Sequence, residues 1–373
     1  MTDSPLNLAP ILEDFFPEER VSLPQSFGNG HINSTLLLTG EGGEDYILQR
    51  INKAVFTRPD WVMENMVGVL GHIAGKIRAE GGDLAHGVVQ LRFTREGKAF
   101  HVDEKGDYWR CMLRVPDSQS FDDCDDPALI REIGLLFGRF LRQLDDYDSA
   151  SLHETIEKFH FTPNRFAQLR QAVEEDRAGR GAGVRELIDA LLSYEDYGRT
   201  LTDALAAGRL PLRVTHNDTK INNALLHRET GKGLCVIDLD TIMPGLSAYD
   251  FGDAIRTCAD TCPEDEPDTE KIHVDLQVYR AYAEGYLSET ACCMSPEEVD
   301  SLAQGARMMT LECAVRFLTD YLNGDVYFHI AYPEHNLVRS KSQLALLRDM
   351  DRHFEEMLEI VRELGKKYGG QRE

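Results

Sequence analysis

The sequence predicts an α+β fold in two parts, a small β-rich lobe followed by a larger, mainly helical lobe. Two observations predict it. Short runs of strand-forming residues, separated by turns, fill residues 26–112. After Pro127, apolar residues recur at helical spacing through most of the chain. Because no repeat or low-complexity tract divides the 373 residues differently, we place one boundary near Val115, which gives lobes of residues 1–115 and 116–373.

The first lobe consists of strand-like segments interrupted by one helix. Glu41, Gly42 and Gly43 form a turn between the first two segments. Apolar residues at helical spacing predict a helix from Trp61 to Ala79. Since strand-like segments dominate, we expect this lobe to be built on a sheet. The segments are residues 27–40, 43–52, 88–93, 98–102 and 108–115.

The second lobe is predicted to begin with a helix at Pro127. Proline suits the first turn of a helix, and apolar residues follow at helical spacing as far as Leu144. Two strand-like runs, residues 212–216 and 233–240, interrupt an otherwise helical pattern. The other helical segments are residues 187–207, 299–322 and 349–367.

Charge and composition argue against several classes of partner. The 64 acidic residues outnumber the 40 basic ones and give a formal net charge of −24, which disfavours binding to nucleic acid or to an anionic membrane. The chain starts without a basic segment followed by an apolar run, and no stretch is apolar for long enough to span a bilayer. The eight cysteines lack the spacing of a zinc site, so we expect reduced thiols. These features favour a cytoplasmic protein.

The strongest motif consists of four polar residues that follow two apolar strands. His216, Asp218 and Asn223 form the pattern H-x-D-x-x-x-x-N, and Asp238 ends the next strand. Phosphoryl transfer needs a carboxylate beside the attacking hydroxyl and oxygen ligands for Mg²⁺. We expect Asp218 to orient the acceptor and take its proton, while Asn223 and Asp238 hold the metal. Asp240 is a candidate to bridge or support the metal. The alternative for all of these polar residues is that they only cap turns at the ends of buried strands.

A glycine-containing turn precedes the second strand segment. Gly28 and Gly30 could bring backbone amides close to phosphate oxygens, with Asn33 and Thr35 nearby. Two glycines in a hairpin are often only a turn. Given the downstream motif, we expect these four residues to contact a nucleotide.

Two further nucleotide contacts are expected on the strands that follow. Arg50, next to Gln49, is the candidate cation for the α and β phosphates, although an exposed arginine on a strand is more often solvated. The segment from Cys111 to Arg114, centred on Met112, ends where the lobes should join. Its backbone is the candidate edge for the adenine ring.

The helical lobe carries candidate residues for the acceptor. Arg316 lies among apolar residues on a predicted helix, and Tyr327 follows it. A charge in such a position needs a partner. Asp250, Asp253 or a bound polar ligand could serve, and a purely structural ion pair remains an alternative.

Seven segments of the chain together resemble one family. Between residues 27 and 347, they resemble the N-acetylhexosamine 1-kinases, within the aminoglycoside phosphotransferase and choline kinase-like superfamily. The resemblance implies a bilobal protein-kinase-like fold with ATP between the lobes. It also implies phosphorylation of the anomeric hydroxyl of N-acetylglucosamine or N-acetylgalactosamine. The segments are GNGHIN, YILQRIN, THNDTKINN, IDLDTIMPG, DFGDAIR, RFLTDYLNGDVYF and EHNLVR.

The resemblance also implies roles for individual residues. Asp218 matches the catalytic aspartate of the family. Arg316 and Tyr327 match its sugar-contacting region, and His31 is a further candidate to face the substrate. The metal ligands implied, Asn223 and Asp238, are those that the spacing predicts. The family keeps no lysine in the YILQR strand, which leaves the phosphate cation open.

Three functions remain in competition. The first is the sugar 1-kinase with ATP and Mg²⁺. The second is a kinase of the same fold for another alcohol, such as an aminoglycoside, choline, homoserine or another sugar. The third is a silent nucleotide-binding scaffold, which the intact Asp218, Asn223 and Asp238 disfavour. Since no protein-kinase activation segment follows Asp238, we expect a small acceptor; the oligomeric state stays open.

Overall fold

The structure, a computed structural model, describes residues 7–28 and 32–370 and has a small sheet-based lobe followed by a larger helical one. The predicted α+β arrangement is confirmed. The chain leaves the first sheet after Leu113 and enters another at Ser118, on either side of the boundary proposed near Val115.

The strands are β1 (Gln25–Ser26), β2 (Ser34–Thr39), β3 (Asp45–Arg50), β4 (Leu91–Arg92), β5 (His101–Val102), β6 (Tyr108–Leu113), β7 (Ser118–Gln119), β8 (Arg213–Thr215), β9 (Ala224–His227), β10 (Gly233–Val236) and β11 (Met243–Gly245). The α-helices are α1 (Ala9–Phe15), α2 (Pro59–Ala79), α3 (Leu84–Gly87), α4 (Pro127–Gln143), α5 (Thr162–Glu175), α6 (Arg185–Leu192), α7 (Thr200–Ala206), α8 (Ser247–Cys258), α9 (Leu276–Thr290), α10 (Pro296–Asn323), α11 (His335–Arg352) and α12 (Phe354–Gly369). Short 3₁₀ helices cover Ser149–Ser151, Gly181–Val184, Tyr197–Arg199, Ile221–Asn223 and Leu239–Thr241.

The first sheet has two faces with different neighbours. Its strands run in the order β1-β2-β3-β6-β4, with β5 also paired to β6, and all pairs are antiparallel. On one face, Leu48 and Trp109 are buried in a cluster with α1. Side chains alternate along a strand, so Gln49 and Arg110, which are opposite each other on β3 and β6, lie on the other face. There Arg110 reaches Asp240 of the helical lobe.

Two small sheets of the second lobe carry the polar motif. β9 pairs with β10 and β7, and β8 pairs with β11. β8 ends at Thr215, directly before His216, and β10 ends at Val236, two residues before Asp238. Because Val214 and Val236 are buried, both strands are anchored in the core where they deliver these polar residues.

Helices α8 and α10 approach each other closely at two glycines. A Cβ atom on Gly252 would overlap the backbone of Gly305, and one on Gly305 would overlap the backbone of Ala248. This close packing holds α8 in place, and Asp250 and Asp253 of α8 accept hydrogen bonds from the backbone that follows β8. α10 begins with a capping box between Ser295 and Glu298. Within the described ranges, no helix is long and apolar enough to cross a bilayer.

The predicted helices agree with the structure along their central turns and differ from it where a helix begins, ends or is interrupted. The predicted helices at residues 61–79 and 299–322 correspond to α2 and α10. The predicted helix 187–207 is divided into α6, a 3₁₀ turn and α7, because Gly198 packs against the ring of Phe166 and the chain bends there. The predicted start at Asp349 lies instead in the last turn of α11, where its carboxylate accepts a hydrogen bond from the N–H of Val274 (2.8 Å). Tertiary contacts of this kind leave no periodic signal in the sequence.

Candidate active site

The hairpin of β9 and β10 brings two of the predicted residues together. Asn223 ends the 3₁₀ helix that leads into β9, and its carbonyl oxygen accepts a hydrogen bond from the N–H of Ile237 (2.8 Å). Asp238 follows Ile237 directly. The two residues predicted as metal ligands therefore stand side by side at one end of the hairpin.

His216 connects this end of the hairpin to the loop between β8 and the next 3₁₀ helix, residues 216–220, which we call the catalytic loop after its predicted role. Its imidazole is buried, with Nε2 2.8 Å from the carbonyl oxygen of Ile237 and Nδ1 3.3 Å from the N–H of Asp218. Since the backbone N–H donates to Nδ1, Nε2 must carry the proton that it donates to Ile237. The rings of Phe137 and Phe140 pack edge-on against the imidazole. His216 thus fixes the positions of Asp218 and Asp238 relative to each other.

The Asp218 carboxylate is accessible and held by two side chains. It is 25% exposed, accepts a hydrogen bond from Nδ2 of Asn223 (3.2 Å) and lies 2.9 Å from Nζ of Lys220. Burial acts to raise the pKa of Asp218, but the positive charge of Lys220 and the hydrogen bond that it donates, together with the charge of Arg256, outweigh burial and hold the pKa below its usual value. The carboxylate is therefore ionised at neutral pH and can accept a proton.

Lys220 is a cation beside this carboxylate that the sequence reasoning missed. Its side chain is 48% exposed, and the charge of Asp218 raises the pKa of its ammonium. The signal was present, because Lys220 stands two residues after Asp218, within the same loop. A half-exposed ammonium on a flexible stem can exchange a carboxylate for an incoming phosphate.

Asp238 has the opposite electrostatic environment. Its backbone is left-handed (φ 60°), and its carboxylate accepts no hydrogen bond from any described residue. Desolvation, followed by the charges of Asp240 and Asp218, raises the pKa of Asp238 to about 6. A divalent cation would relieve this repulsion. Strained backbone of this kind is typical of functional sites.

The residues present fit a magnesium ion that is shared with a substrate. The Oδ1 atom of Asn223 accepts no hydrogen bond within the described chain, so it is available as a ligand beside Asp238. No group of three His, Cys, Asp or Glu side chains is arranged for a metal in residues 7–28 and 32–370. Mg²⁺ commonly takes one or two carboxylates and completes its shell with water and phosphate oxygens. Asn223 and Asp238 match such a site.

Asp240 connects the two lobes. Its buried carboxylate is paired with Nη1 of Arg110 and accepts a hydrogen bond from Nδ2 of Asn33 (2.6 Å). Arg110 is only 1% exposed and also donates from Nε and Nη2 to Oε1 of Gln49 (3.0 and 2.8 Å). Sequence reasoning overlooked Arg110, although an arginine within a buried strand requires a partner.

The glycine turn is described only in part. Gly28 has a left-handed backbone (φ 74°), and apart from its chain neighbours no described residue has an atom within 4 Å of the position of a Cβ. Gly30 and His31 lie outside the described residues. Asn33 faces Asp240, and Thr35 accepts a hydrogen bond from Nε2 of Gln49 (3.0 Å). Asn33 and Thr35 therefore belong to the same polar network as Arg110.

The structure places Arg50 away from this network. Its guanidinium lies 3.5 Å from the carboxylate of Asp107 and above the ring of Trp109, on the face that packs against α1. Arg110 occupies the face that was expected for Arg50, because neighbouring residues on a strand point in opposite directions.

The segment around Met112 is part of the sheet. Met112 is opposite Ile47 and Leu91 on the neighbouring strands. The next two backbone N–H groups, of Leu113 and Arg114, already donate to carbonyl oxygens of the sheet lobe (2.9 and 2.8 Å). These two groups are not free to contact an adenine ring.

Arg316 on α10 is a half-buried cation with no carboxylate of a described residue within 4.0 Å of its guanidinium. Its guanidinium lies 5.7 Å from the ring centre of Phe159, 5.8 Å from that of Tyr327 and 5.4 Å from that of Phe328. It forms no ion pair or hydrogen bond with a residue that the structure describes. Tyr327 is 62% exposed. The three rings and the guanidinium, which we call the Arg316 cluster, form a surface that is open to a ligand.

The two aspartates considered as partners for Arg316 are used elsewhere. Asp250 accepts hydrogen bonds from the N–H groups of His216 (2.8 Å) and Asn217 (2.7 Å). Asp253 accepts one from the N–H of Thr219 (3.0 Å) and pairs with Arg256 (3.2 Å). Both support the catalytic loop from α8, and of the three partners considered, a bound ligand is the one left for Arg316.

Comparison with known proteins agrees with this architecture. Residues 25–286, more than half of the chain, match the family model described as "Phosphotransferase enzyme family". An amicoumacin kinase bound to AMP-PNP and Ca²⁺ superposes with a TM-score of 0.58 at 13% identity, covering 86% of this chain and 87% of its own. An aminoglycoside phosphotransferase from Alicyclobacillus acidocaldarius gives 0.57 at 13% identity, with 93% of each chain covered. An ethanolamine kinase from Plasmodium vivax gives 0.52 at 11% identity, covering 88% and 83%. The expected bilobal kinase-like fold is confirmed, and the chain belongs to the phosphotransferase enzyme family.

Proposed function

We propose that this phosphotransferase uses ATP and Mg²⁺ to phosphorylate the anomeric C1 hydroxyl of an N-acetylhexosamine. The observation that carries the proposal is the ionised, accessible Asp218 carboxylate beside the Asn223–Asp238 pair. A base for the acceptor hydroxyl and oxygen ligands for a phosphate-bound metal are the two parts that phosphoryl transfer requires.

In the proposed reaction, the C1 oxygen forms a bond to the γ-phosphorus of ATP. The bond from this phosphorus to the bridging oxygen of ADP breaks, and the hydroxyl proton passes to Asp218. Lys220 exchanges its contact with Asp218 for the transferred phosphoryl group. Mg²⁺, held by Asn223 and Asp238, would supply charge neutralisation on the phosphates. Catalysis is then mainly positioning and electrostatic stabilisation.

On the nucleotide side, the described residues support backbone contacts at the glycine turn. No described residue apart from its chain neighbours crowds Gly28, and we propose that Gly28 and Gly30 approach the phosphates. Asn33 and Thr35 line the same side through their bonds to Asp240 and Gln49.

The Arg316 cluster favours a sugar over an amino alcohol. A positively charged acceptor such as choline, ethanolamine or an aminoglycoside would be repelled by a guanidinium that has no described acidic partner. A neutral sugar can stack on an aromatic ring and accept hydrogen bonds from Arg316 through a hydroxyl or an acetamido oxygen. Together with the family resemblance of this segment, this supports an N-acetylhexosamine, with Tyr327 and His31 as further proposed contacts.

The test measures ADP release with a panel of acceptors. N-acetylglucosamine and N-acetylgalactosamine should be turned over, while the methyl glycoside of N-acetylglucosamine, which lacks a free C1 hydroxyl, should not. Phosphorus NMR should locate the product phosphate on C1. Turnover of ethanolamine or choline in preference to the hexosamines, or phosphate on another hydroxyl, would refute the proposed substrate. ATP binding without turnover of any acceptor would favour the silent scaffold.

A further inference from the structure

A buried histidine that lies outside all the sequence motifs contacts the catalytic loop. His160 lies two residues before the start of α5, and its side chain is 6% exposed. Its Nε2 atom is 3.1 Å from the carbonyl oxygen of Asn217, and its Nδ1 atom is 3.0 Å from Oε1 of Glu312 on α10. The imidazole therefore bridges the catalytic loop and the helix that carries Arg316.

Both neighbours of the imidazole are hydrogen-bond acceptors. A neutral imidazole has one N–H, so either tautomer would direct a lone pair at an oxygen atom. Glu312 is fully buried and also accepts a hydrogen bond from Oγ1 of Thr162 (2.9 Å). Arg165 also lies 4.0 Å from this carboxylate, so Glu312 is surrounded by groups that favour its ionised form independently of His160. Opposite an ionised Glu312 and a carbonyl oxygen, the contacts are satisfied when His160 carries two protons.

The carbonyl that His160 holds belongs to the peptide unit that leads into Asp218. The N–H of the same unit donates to Nδ1 of His216 (3.3 Å), so a histidine fixes each end of this peptide. Asn217 has a left-handed backbone (φ 64°), which is strained for a non-glycine residue. Among the described residues, His160 gives this carbonyl oxygen its one hydrogen bond, so the loss of His160 would leave this side of the peptide unrestrained and allow Asp218 to shift.

The electrostatic surroundings of His160 come from three helices. Glu312 faces it from α10, and Arg165 of α5 lies 4.0 Å from the same carboxylate. From α8, the ring of Tyr249 lies 5.5 Å from the imidazole, and the buried Asp250 also acts on it. Glu312 is one helical turn before Arg316, and Phe159 of the Arg316 cluster packs on the imidazole at 4.4 Å.

We propose that His160 is a positioning residue, doubly protonated against Glu312, that fixes the Asn217–Asp218 peptide and links the Arg316 cluster to the catalytic carboxylate. The proposal rests on the proposed role of Asp218. It assigns a function in phosphoryl transfer to two residues, 152 positions apart, that lie outside every motif of the sequence.

The test compares two substitutions that differ in the bonds they keep. H160A removes the donor to Asn217, and we expect kcat to fall by about 10–100-fold with KM for ATP within about threefold, because small misplacements of a catalytic group have effects of this size. E312Q removes the negative charge but can donate to Nδ1 of a neutral His160, which keeps both bonds, so kcat should stay within about tenfold. The matched control is H153A, since His153 also pairs with a glutamate, Glu64 (2.6 Å), but is partly exposed; its kcat should not change.

A spectroscopic readout separates positioning from folding. Nitrogen NMR of labelled histidine should show two protonated ring nitrogens for His160 in the wild-type protein and the Nε2–H tautomer in E312Q. A neutral His160 in the wild-type protein, or a folded H160A with wild-type kcat, would overturn the proposal. The NMR result does not depend on the acceptor, and the kinetic comparison can use any alcohol that the enzyme phosphorylates. A wrong assignment of the substrate can therefore be distinguished from a wrong assignment of His160. Normal activity of a D218N variant would refute the role of Asp218 instead.

Discussion

The catalytic loop around Asp218 and the turn around Asp238 hold similar carboxylates in opposite electrostatic states. Lys220 and neighbouring positive charges lower the pKa of Asp218 against the effect of burial, whereas burial, Asp240 and Asp218 raise the pKa of Asp238 to about 6. Two titratable groups with diverging environments are typical of a division of chemical roles. One carboxylate is prepared to accept a proton, and the other gains most from a bound cation.

The largest expected effect comes from removing the base. The D218N variant preserves size but cannot take the hydroxyl proton, so we expect turnover to fall by at least ~10²-fold, the scale of general-base contributions. ADP release measures it, and ATP binding measured by fluorescence or calorimetry should remain. A variant that turns over at a near-normal rate would show that Asp218 is not the base.

The turn around Asp238 is tested through its metal. The D238A and N223A variants should raise the Mg²⁺ concentration for half-maximal activity by at least about 10-fold, because loss of a residue that only supports a metal ligand already costs about 10–100-fold. The magnesium titration of ADP release checks this. An unaltered titration curve in both variants would contradict the ligand assignment.

Replacing Lys220, the lysine of the catalytic loop, should change both the pKa of Asp218 and the rate of phosphoryl transfer. In K220M the carboxylate loses its main positive neighbour, so its pKa should rise and the acidic limb of kcat/KM should move to higher pH. We also expect a decrease of about tenfold in kcat/KM at neutral pH, because a cation at the transferred phosphoryl group is lost.

A matched lysine serves as the control for this substitution. Lys53 pairs with Asp107 at 2.7 Å and is 41% exposed, close to the values for Lys220 and Asp218. K53M should therefore keep the wild-type pH profile. An equal shift in both variants would mean that the change reflects net charge alone.

The pKa of Asp238 predicts a pH dependence of metal binding. With a pKa of about 6, the carboxylate takes up a proton as the pH falls through that value, and the protonated form does not bind Mg²⁺. Between pH 7.5 and 5.5 the apparent Mg²⁺ affinity should fall by about fourfold, from the loss of ionised carboxylate. Calorimetric titration in the presence of an ATP analogue measures it, and D238A should lack the dependence.

The smallest effect is expected on the far face of the first sheet. R50M removes a partly exposed pair with Asp107, so stability should change by no more than about 1 kcal/mol and KM for ATP should stay constant. Denaturant unfolding and steady-state kinetics check this. A tenfold rise in KM for ATP would instead support Arg50 as the phosphate cation.

Predictions from the sequence were reliable wherever the chemistry depends on residues close together in the chain. His216, Asp218 and Asn223 lie within eight residues, between strands whose apolar side chains anchor them, so their spacing fixes their relative placement. Broken helices were harder to predict. The division of residues 187–207 depends on the contact between Gly198 and Phe166, which are 32 positions apart.

By itself, the sequence determined the class of reaction and the order of the two lobes, because catalytic spacing and hydrophobic periodicity are both local properties. Only the tertiary structure decided which charges meet. Because α1 packs on one face of the first sheet, Arg50 lies on that face, and Arg110 points from the opposite face to Asp240. The packing of α5 on α10 brings His160 to Glu312. Burying an ionised group is unfavourable unless a partner reaches it, and which partner does so depends on how the elements pack.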